Sequence, residues 1–500
     1  VGDRVVVLSA AAGDAPGYGP MPLGSRYGYP GATPPGPSQA AVVDLSDPGH
    51  PRLADTFSFD GSVVAARSVG TQVRLVLRSD GPRLTFQTAT SSADDDAATA
   101  ANKALIASST LGDWLPSWQL VRPDGSTTPR RQLAACDAVA RPQHATGIST
   151  VSVLSLDPQA SAPGPATSVV AAGDTVYATA DHLVVAGAVT APPPVPSTAP
   201  HPVLPGGPAP SGRAVPCCVA YTPGPVTTWL YDFETSGSDR PVFLGAGSVP
   251  GSLLDAYAID QAADGSLRVA TTTGSASGSE DSRITVLAPS GHELSTEGVV
   301  AGLGNGQQLR AVRFLGDQAY VVTYRSFDPL YVVDLRNPHR PAVTGQLEQP
   351  GFSAFLYPLP HHRLLGVGVQ VTNGEASGLE VATYDVSDPA RPRRIDAAPL
   401  ASGFFPASQG YDPHAFLYWQ PADLAVLAVP SDVQGGAADG AVAYRVAAGG
   451  GLTEIATLGH GTATTTRTAV IGDALWAFTP SGVVVAGLTS LGHTTWHPYR

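Results

Sequence analysis

The chain is poor in the residues on which several function classes depend. It has a single lysine, Lys103, one methionine and three cysteines, and charged residues make up only 14% of its 500 positions. With a net charge of −13 and arginine carrying nearly all the positive charge, it lacks the clustered Lys/Arg that phosphate-backbone binding requires, so nucleic acid is excluded as a partner. No apolar run reaches the roughly 20 residues that a membrane-spanning helix needs. Stretches such as Val299–Leu303 and Ala474–Phe478 are strand-sized. A signal peptide or lipid anchor, if used, is expected upstream of Val1, since the chain opens directly on the apolar run Arg4–Leu8.

The three cysteines are Cys136, Cys217 and Cys218. Neighbouring cysteines bridge each other only with strain, so in an oxidising compartment the expected disulfide joins Cys136 to Cys217 or Cys218. What the chain has in abundance is glycine (55) and proline (47), beside 43% hydrophobic residues. That is a turn-rich chain able to bury a large core. Its Ala/Gly/Pro/Arg bias is that of a GC-rich, actinobacterial type of genome.

Two repeated signatures organise the sequence. In the first, Gly-Asp precedes an apolar strand: Gly2-Asp3, Gly173-Asp174, Gly316-Asp317 and Gly472-Asp473. Glycine tolerates positive φ and aspartate bonds its own backbone, which suits a tight hairpin. In the second, an apolar strand ends in Asp and a turn follows with Asp or Asn before Pro. It reads Val42-Val43-Asp44-Leu45-Ser46-Asp47-Pro48 with Pro51, Val332-Val333-Asp334-Leu335-Arg336-Asn337-Pro338 with Pro341, and Tyr384-Asp385-Val386-Ser387-Asp388-Pro389 with Pro392. The last two copies lie about 50 residues apart, the spacing of propeller blades.

Four strands per repeat are legible at Ala311–Leu315, Ala319–Tyr324, Leu330–Leu335 and Ala342–Leu347, and the pattern recurs to Leu458, with His414–Trp419 as one inner strand. Weaker copies begin at Val63–Ser68, Thr167–Ala171 and Tyr257–Asp260. The expected fold is therefore an all-β β-propeller of four-stranded blades, seven or eight in number with eight favoured. The first blade is expected to lack its inner strand and the last its outer one. Residues 1–490 form one domain, with a tail at 491–500. Insertions are expected at about 13–38, 91–144 and 191–212; the middle one carries a short helix, Asp94–Ser109.

The run Val312 to Tyr324, continued by Asp328 to Leu335 and by Pro350-Gly351-Phe352-Ser353, resembles secreted proteins with a β-propeller domain distantly related to WD40 repeats. Gly265 to Thr272, Tyr384 to Pro389 and His414-Ala415-Phe416-Leu417 are similar too. The resemblance implies export and a propeller, and no general activity. The family's histidine before proline reads Tyr357-Pro358 here, and its Asp-His-Lys reads Asp412-Pro413-His414-Ala415, so no histidine-based site is carried over.

Chemistry leaves few linear marks. Metalloprotease His-Glu-x-x-His, the phosphate loop and Gly-x-Ser-x-Gly do not occur. Gly302-Leu303-Gly304-Asn305-Gly306 is followed by a strand instead of the helix a dinucleotide needs. Asp94-Asp95-Asp96 offers calcium oxygen ligands, but acidic residues at a helix start also follow from the dipole. No other cofactor or metal is expected, and His361-His362 reads as a solvated turn. Arg67, Arg313, Arg467 and His414 fall on expected inner strands, pointing basic groups at the central channel as ligand-binding candidates. The same arginines would equally fasten the ring by pairing with aspartates of neighbouring blades.

The function expected is a non-enzymatic extracellular or cell-surface binding and scaffold module for a protein or glycan. The alternatives are a propeller hydrolase or lyase with its acid/base pair drawn from different blades, or a structural subunit of a surface assembly.

Overall fold

The computed structural model describes residues 2–9, 37–89, 94–144, 146–191, 224–237, 240–274, 280–304, 306–324, 328–372, 375–401, 411–429, 440–461 and 465–499. Successive antiparallel strands fold into small sheets that follow one another along the chain. The fifth to eighth units are four-stranded meanders. They comprise Gln308–Leu315, Gln318–Tyr324, Asp328–Asp334 and Ala342–Gln349; then Phe352–Leu359, Arg363–Thr372, Glu375–Asp385 and Arg393–Ala401; then Phe416–Trp419, Leu424–Val429, Gly440–Val446 and Leu452–Leu458; and last Arg467–Ile471, Ala474–Thr479, Gly482–Gly487 and Thr494–Pro498. An eight-stranded sheet holds the third unit (Thr175–Ala178 to Val242–Pro250) and the fourth (Ile259–Gln261 to Glu293–Leu303), joined by parallel pairing of their outer strands at Ala246↔Glu293.

Two-residue turns join the inner strand to the second strand in the second, fifth and eighth units. Gly70, Gly316 and Gly472 each stand at the first turn position with φ of 57°, 55° and 59°, between register pairs such as Leu315↔Gln318. Left-handed backbone costs glycine nothing, which is why glycine opens these corners, followed by aspartate in the fifth and eighth units and by Thr71 in the second. The backbone N–H just after the third strand then donates to the carbonyl of that corner: Leu335 to Asp317 (2.8 Å), Val386 to His362 (3.0 Å) and Leu488 to Asp473 (2.9 Å). Leu45 donates to Asp3 in the same way (2.7 Å). Arg4–Ser9 therefore occupies a second-strand position in the first unit, and no inner strand precedes it among the described residues.

Two sequence expectations change. The last unit was expected to lack its outer strand, yet Thr494–Pro498 pairs with Gly482–Gly487. Thr167–Ala171, expected to open a unit, is the outer strand Thr167–Val170 of the second, paired with Thr150–Leu156. Gly173-Asp174 is thus a connection between units and no hairpin corner. The third unit instead takes its second strand from His182–Thr190.

Most of the hydrophobic core lies between neighbouring units. Tyr384, Leu365 and Val381 sit with Leu427 and Tyr444 in one cluster across the fifth to seventh units. Smaller clusters join the first to the second, the second to the third, the third to the fourth, the fourth to the fifth and the seventh to the eighth. Alternation along each strand produces this, because a sheet between two neighbours buries both faces.

The middle insertion departs from the repeat. It carries the helix Asp95–Ser108 and sends Ser117–Val121 back to pair with Arg52–Phe59 of the first unit. Gly13–Ser38 and Ala191–Gly212 fall almost wholly outside the described residues. No described helix is long and apolar enough to cross a membrane.

Candidate functional site

Tyr257 and His414, both expected on strands, lie on short 3-10 turns just ahead of the inner strands of the fourth and seventh units. In each case an aspartate captures the backbone: Asp255 accepts from Tyr257 N–H at 2.8 Å and Asp412 from His414 N–H at 2.9 Å. A carboxylate bonding two residues onward offers the chain an alternative to the sheet ladder, and here it wins over strand propensity. The pattern Asp-x-Tyr/His-Ala followed by an apolar strand is thus a third repeat of the chain.

Polar contacts converge on Asp412. His414 Nδ1 lies 3.1 Å from its Oδ1, and Arg467, from the inner strand of the eighth unit, donates to Oδ2 at 2.8 Å. Arg313, on the inner strand of the fifth unit, lays its guanidinium over the Tyr257 ring, 4.6 Å from the centroid. Burial raises the Asp255 carboxyl above its ordinary range, against the backbone donors of Tyr257 and Ala258 and the charge of Arg313.

Aromatic rings link these groups. Phe355 stands 6.2 Å from Tyr257, 5.7 Å from Tyr411 and 5.5 Å from Phe416, while Tyr357 lies 4.8 Å from Phe416 and 5.8 Å from Tyr418. Phe355 and Tyr411 are buried; Tyr257, Tyr357, Phe416 and Tyr418 keep part of their rings open. Tyr418 donates to Asp423 Oδ1 at 3.1 Å, and burial together with that carboxylate pushes its phenol up to about 12.

The four basic candidates therefore divide. His414 and Arg467 share one carboxylate, and Arg313 reaches the same cluster through Tyr257 and Phe355. Arg67 makes none of these contacts; it is exposed on Ser62–Val69 and donates to the Ala66 carbonyl at 2.8 Å. The rings were missed by the sequence reading, although a signal was present. Phe355-Leu356-Tyr357 and Phe416-Leu417-Tyr418 repeat the same triplet on consecutive inner strands, where period-two alternation sends each Phe and Tyr to one face.

Cys136 is an exposed free thiol, without the expected bridge, and Cys217 and Cys218 lie outside the described residues. Asp95 and Asp96 stand in the first turn of the insertion's helix, where its dipole favours them. Among the described residues, no three His, Cys, Asp or Glu side chains gather closely enough to hold a metal.

Two uncharacterized archaeal proteins share sequence with part of the chain. One, from Methanocaldococcus jannaschii, is 37% identical over 173 residues, 35% of this chain and 26% of that protein. The other, from Archaeoglobus fulgidus, is 36% identical over 149 residues, 30% of this chain and 22% of that protein. The chain thus matches about a quarter of the length of these relatives. Among solved structures, yeast Sqt1 aligns over 71% of this chain and 83% of its own with 9% identity and a TM-score of 0.39. A Lactobacillus plantarum protein aligns over 54% and 76%, with 14% identity and a TM-score of 0.32. The sequence pattern of the beta propeller domain family matches residues 1–491, and with that match over nearly its whole length the chain belongs to the beta propeller domain family.

Proposed function

We propose that this propeller is a non-enzymatic binding and scaffold module of the extracellular or cell-envelope space, holding a protein or glycan on the aromatic surface of its inner strands. The observation that carries the reading is the pair of Phe-Leu-Tyr triplets, which set Tyr357, Phe416 and Tyr418 side by side with faces partly open. Large rigid rings contribute contact area at low entropic cost, and tyrosine adds a polar tip. Arg313 at the end of the row supplies a cation already oriented by Tyr257. The extracellular setting is supported by the resemblance to exported propellers.

A hydrolase reading would rest on the Asp412–His414 pair. That carboxylate also caps the turn and holds Arg467, which favours a fastening role over acid/base work. The test is binding of the 500-residue chain to a glycan and peptide panel, beside the Tyr357→Ala/Tyr418→Ala variant. A binder whose affinity falls at least tenfold in the variant is expected. A panel without any such binder, or turnover of a ligand that His414→Gln abolishes, would overturn the proposal.

A further inference from the structure

Away from the inner strands, the middle insertion closes over the seam between the first and second units and leaves an open cleft of about 450 Å³. Its floor is Asp60, in the turn between the two units. Arg83, Arg130, Arg131 and Gln132 form its walls. Two guanidinium groups thus hold one carboxylate, and a third arginine lines the same cleft, in a protein whose net charge is −13.

The Asp60 carboxylate is already fully engaged. Ser117 donates to Oδ2 from its N–H (2.8 Å) and its hydroxyl (2.6 Å), Arg130 places both terminal nitrogens on Oδ1 (3.1 and 2.7 Å), and Arg83 donates to Oδ2. Arg83 is further tied to the Gly112 carbonyl. These bonds fix two guanidinium planes in place, so little side-chain entropy is left to lose when a second anion arrives. Their remaining edges are open, with side-chain exposures of 49% for Arg83 and 39% for Arg130. Fastening the insertion to the seam uses Asp60, Arg83 and Arg130. It does not use the exposed Arg131 or Gln132, which line the same cleft. Asp113, close enough to feel the charge of Arg83, commits its carboxylate to Thr110.

We propose that this cleft is an oxyanion-binding site, taking a sulfate, phosphate or carboxylate group against the open edges of Arg83 and Arg130, with Arg131 and Gln132 completing its shell. Asp60 offsets one of the three lining positive charges and neighbouring Asp113 a second, and the one that remains draws an anion into the cleft. The anion is either free in solution or carried on a sugar acid.

Both sources are tested by titrating the 500-residue chain with sodium sulfate and, separately, with sodium glucuronate, each replacing chloride at constant ionic strength, while following arginine Nε–H resonances. Saturable shifts are expected, with an apparent Kd raised at least tenfold in Arg131→Gln, whose side chain does not hold Asp60, and unchanged in Arg67→Gln. Saturation by sulfate alone assigns the site to free tetrahedral anions, and saturation by glucuronate assigns it to sugar acids. Linear shifts with both salts, or identical saturation in Arg131→Gln, would overturn the proposal.

Discussion

The first and fifth units carry the same turn in opposite surroundings. Within the turn the bonding matches: Asp44 Oδ1 accepts from Ser46 N–H at 2.9 Å and Asp334 Oδ1 from Arg336 N–H at 3.0 Å, while Asp47 and Asn337 each accept from a backbone N–H two residues on at 3.1 Å. Burial does not match. Leu335 and Pro341 are buried, whereas Leu45 is half-exposed and Pro51 exposed. The difference comes from the neighbour. Gly298, on the outer strand of the fourth unit, receives Pro338 and Pro341, and Gly345, on that of the fifth, receives Pro389 and Pro392 of the sixth. No such outer strand covers Asp47 to Pro51 among the described residues. The Pro-x-x-Pro signature is therefore a docking element as well as a turn, and its local half forms whether or not docking follows.

The largest effect should come from closing that dock. A Cβ at Gly345 would overlap the Pro389 carbonyl oxygen and lie 2.9 Å from Pro392 Cδ. Gly345→Ala is expected to cost about 3 kcal/mol, since neither backbone nor proline ring can move aside. Gly449→Ala, with nothing within 4 Å, should leave the urea midpoint nearly unchanged. Equal midpoints for the two variants would mean that the units do not depend on this contact.

Next in size is the leucine of the turn. Leu335 is 3% exposed, so Leu335→Ala should cost about 3 kcal/mol in chemical denaturation, through lost transfer energy and the cavity left behind. Leu45→Ala removes a half-exposed side chain and should cost about 1 kcal/mol or less. A large loss at Leu45 would show that a sheet covers the first unit in solution.

This contrast also explains what could be read from the sequence. In the fifth to seventh units local and tertiary signals largely agree, and the expected Ala319–Tyr324 and Ala342–Leu347 lie within Gln318–Tyr324 and Ala342–Gln349. Between the second and third units they conflict: Gly173-Asp174 has the composition of a corner but connects two sheets, so the boundary was misplaced. Tyr257 and His414 read as strand because only the preceding aspartate reveals the 3-10 turn. The arginine cleft had no linear signal, since Asp60, Arg83 and Arg130 meet only once the insertion folds back onto the first unit.

A smaller effect isolates the local half of the motif. The Ser387 hydroxyl and N–H, with Arg393, hold the Asp385 carboxyl well below the ordinary carboxylate range. A depressed folded-state pKa contributes stability that is fully present above the unfolded value of about 4 and is lost as pH falls toward the folded one. Asp385→Asn should therefore be less stable than the parent at pH 7, with the gap narrowing below about pH 4. Asp44, lowered chiefly by its bonds from Ser46, should give the same profile in Asp44→Asn despite its open surroundings. Different profiles would mean that docking, and not the turn, sets these carboxyls.

The smallest effect concerns corners that dock against nothing. Where the eighth unit has Gly472 at φ 59°, the sixth has His361 and His362 at φ 63° and 55°. Both histidines are exposed in a turn of three residues, one longer than Gly472-Asp473, and a Cβ on Gly472 would meet nothing within 4 Å, so each substitution reads the backbone strain of its own corner. Gly472→Ala should cost about 1 kcal/mol, and His361→Gly should recover about 0.5 kcal/mol, being partly offset by the greater freedom of glycine in the unfolded chain. Thermal unfolding of the two variants measures the strain with opposite signs. If the corner is worth no more than this while the glycine dock is worth several times as much, then the inter-unit contact holds the repeat together. If His361→Gly instead destabilises, the paired histidines hold a contact of their own and the sixth-unit corner is more than a turn.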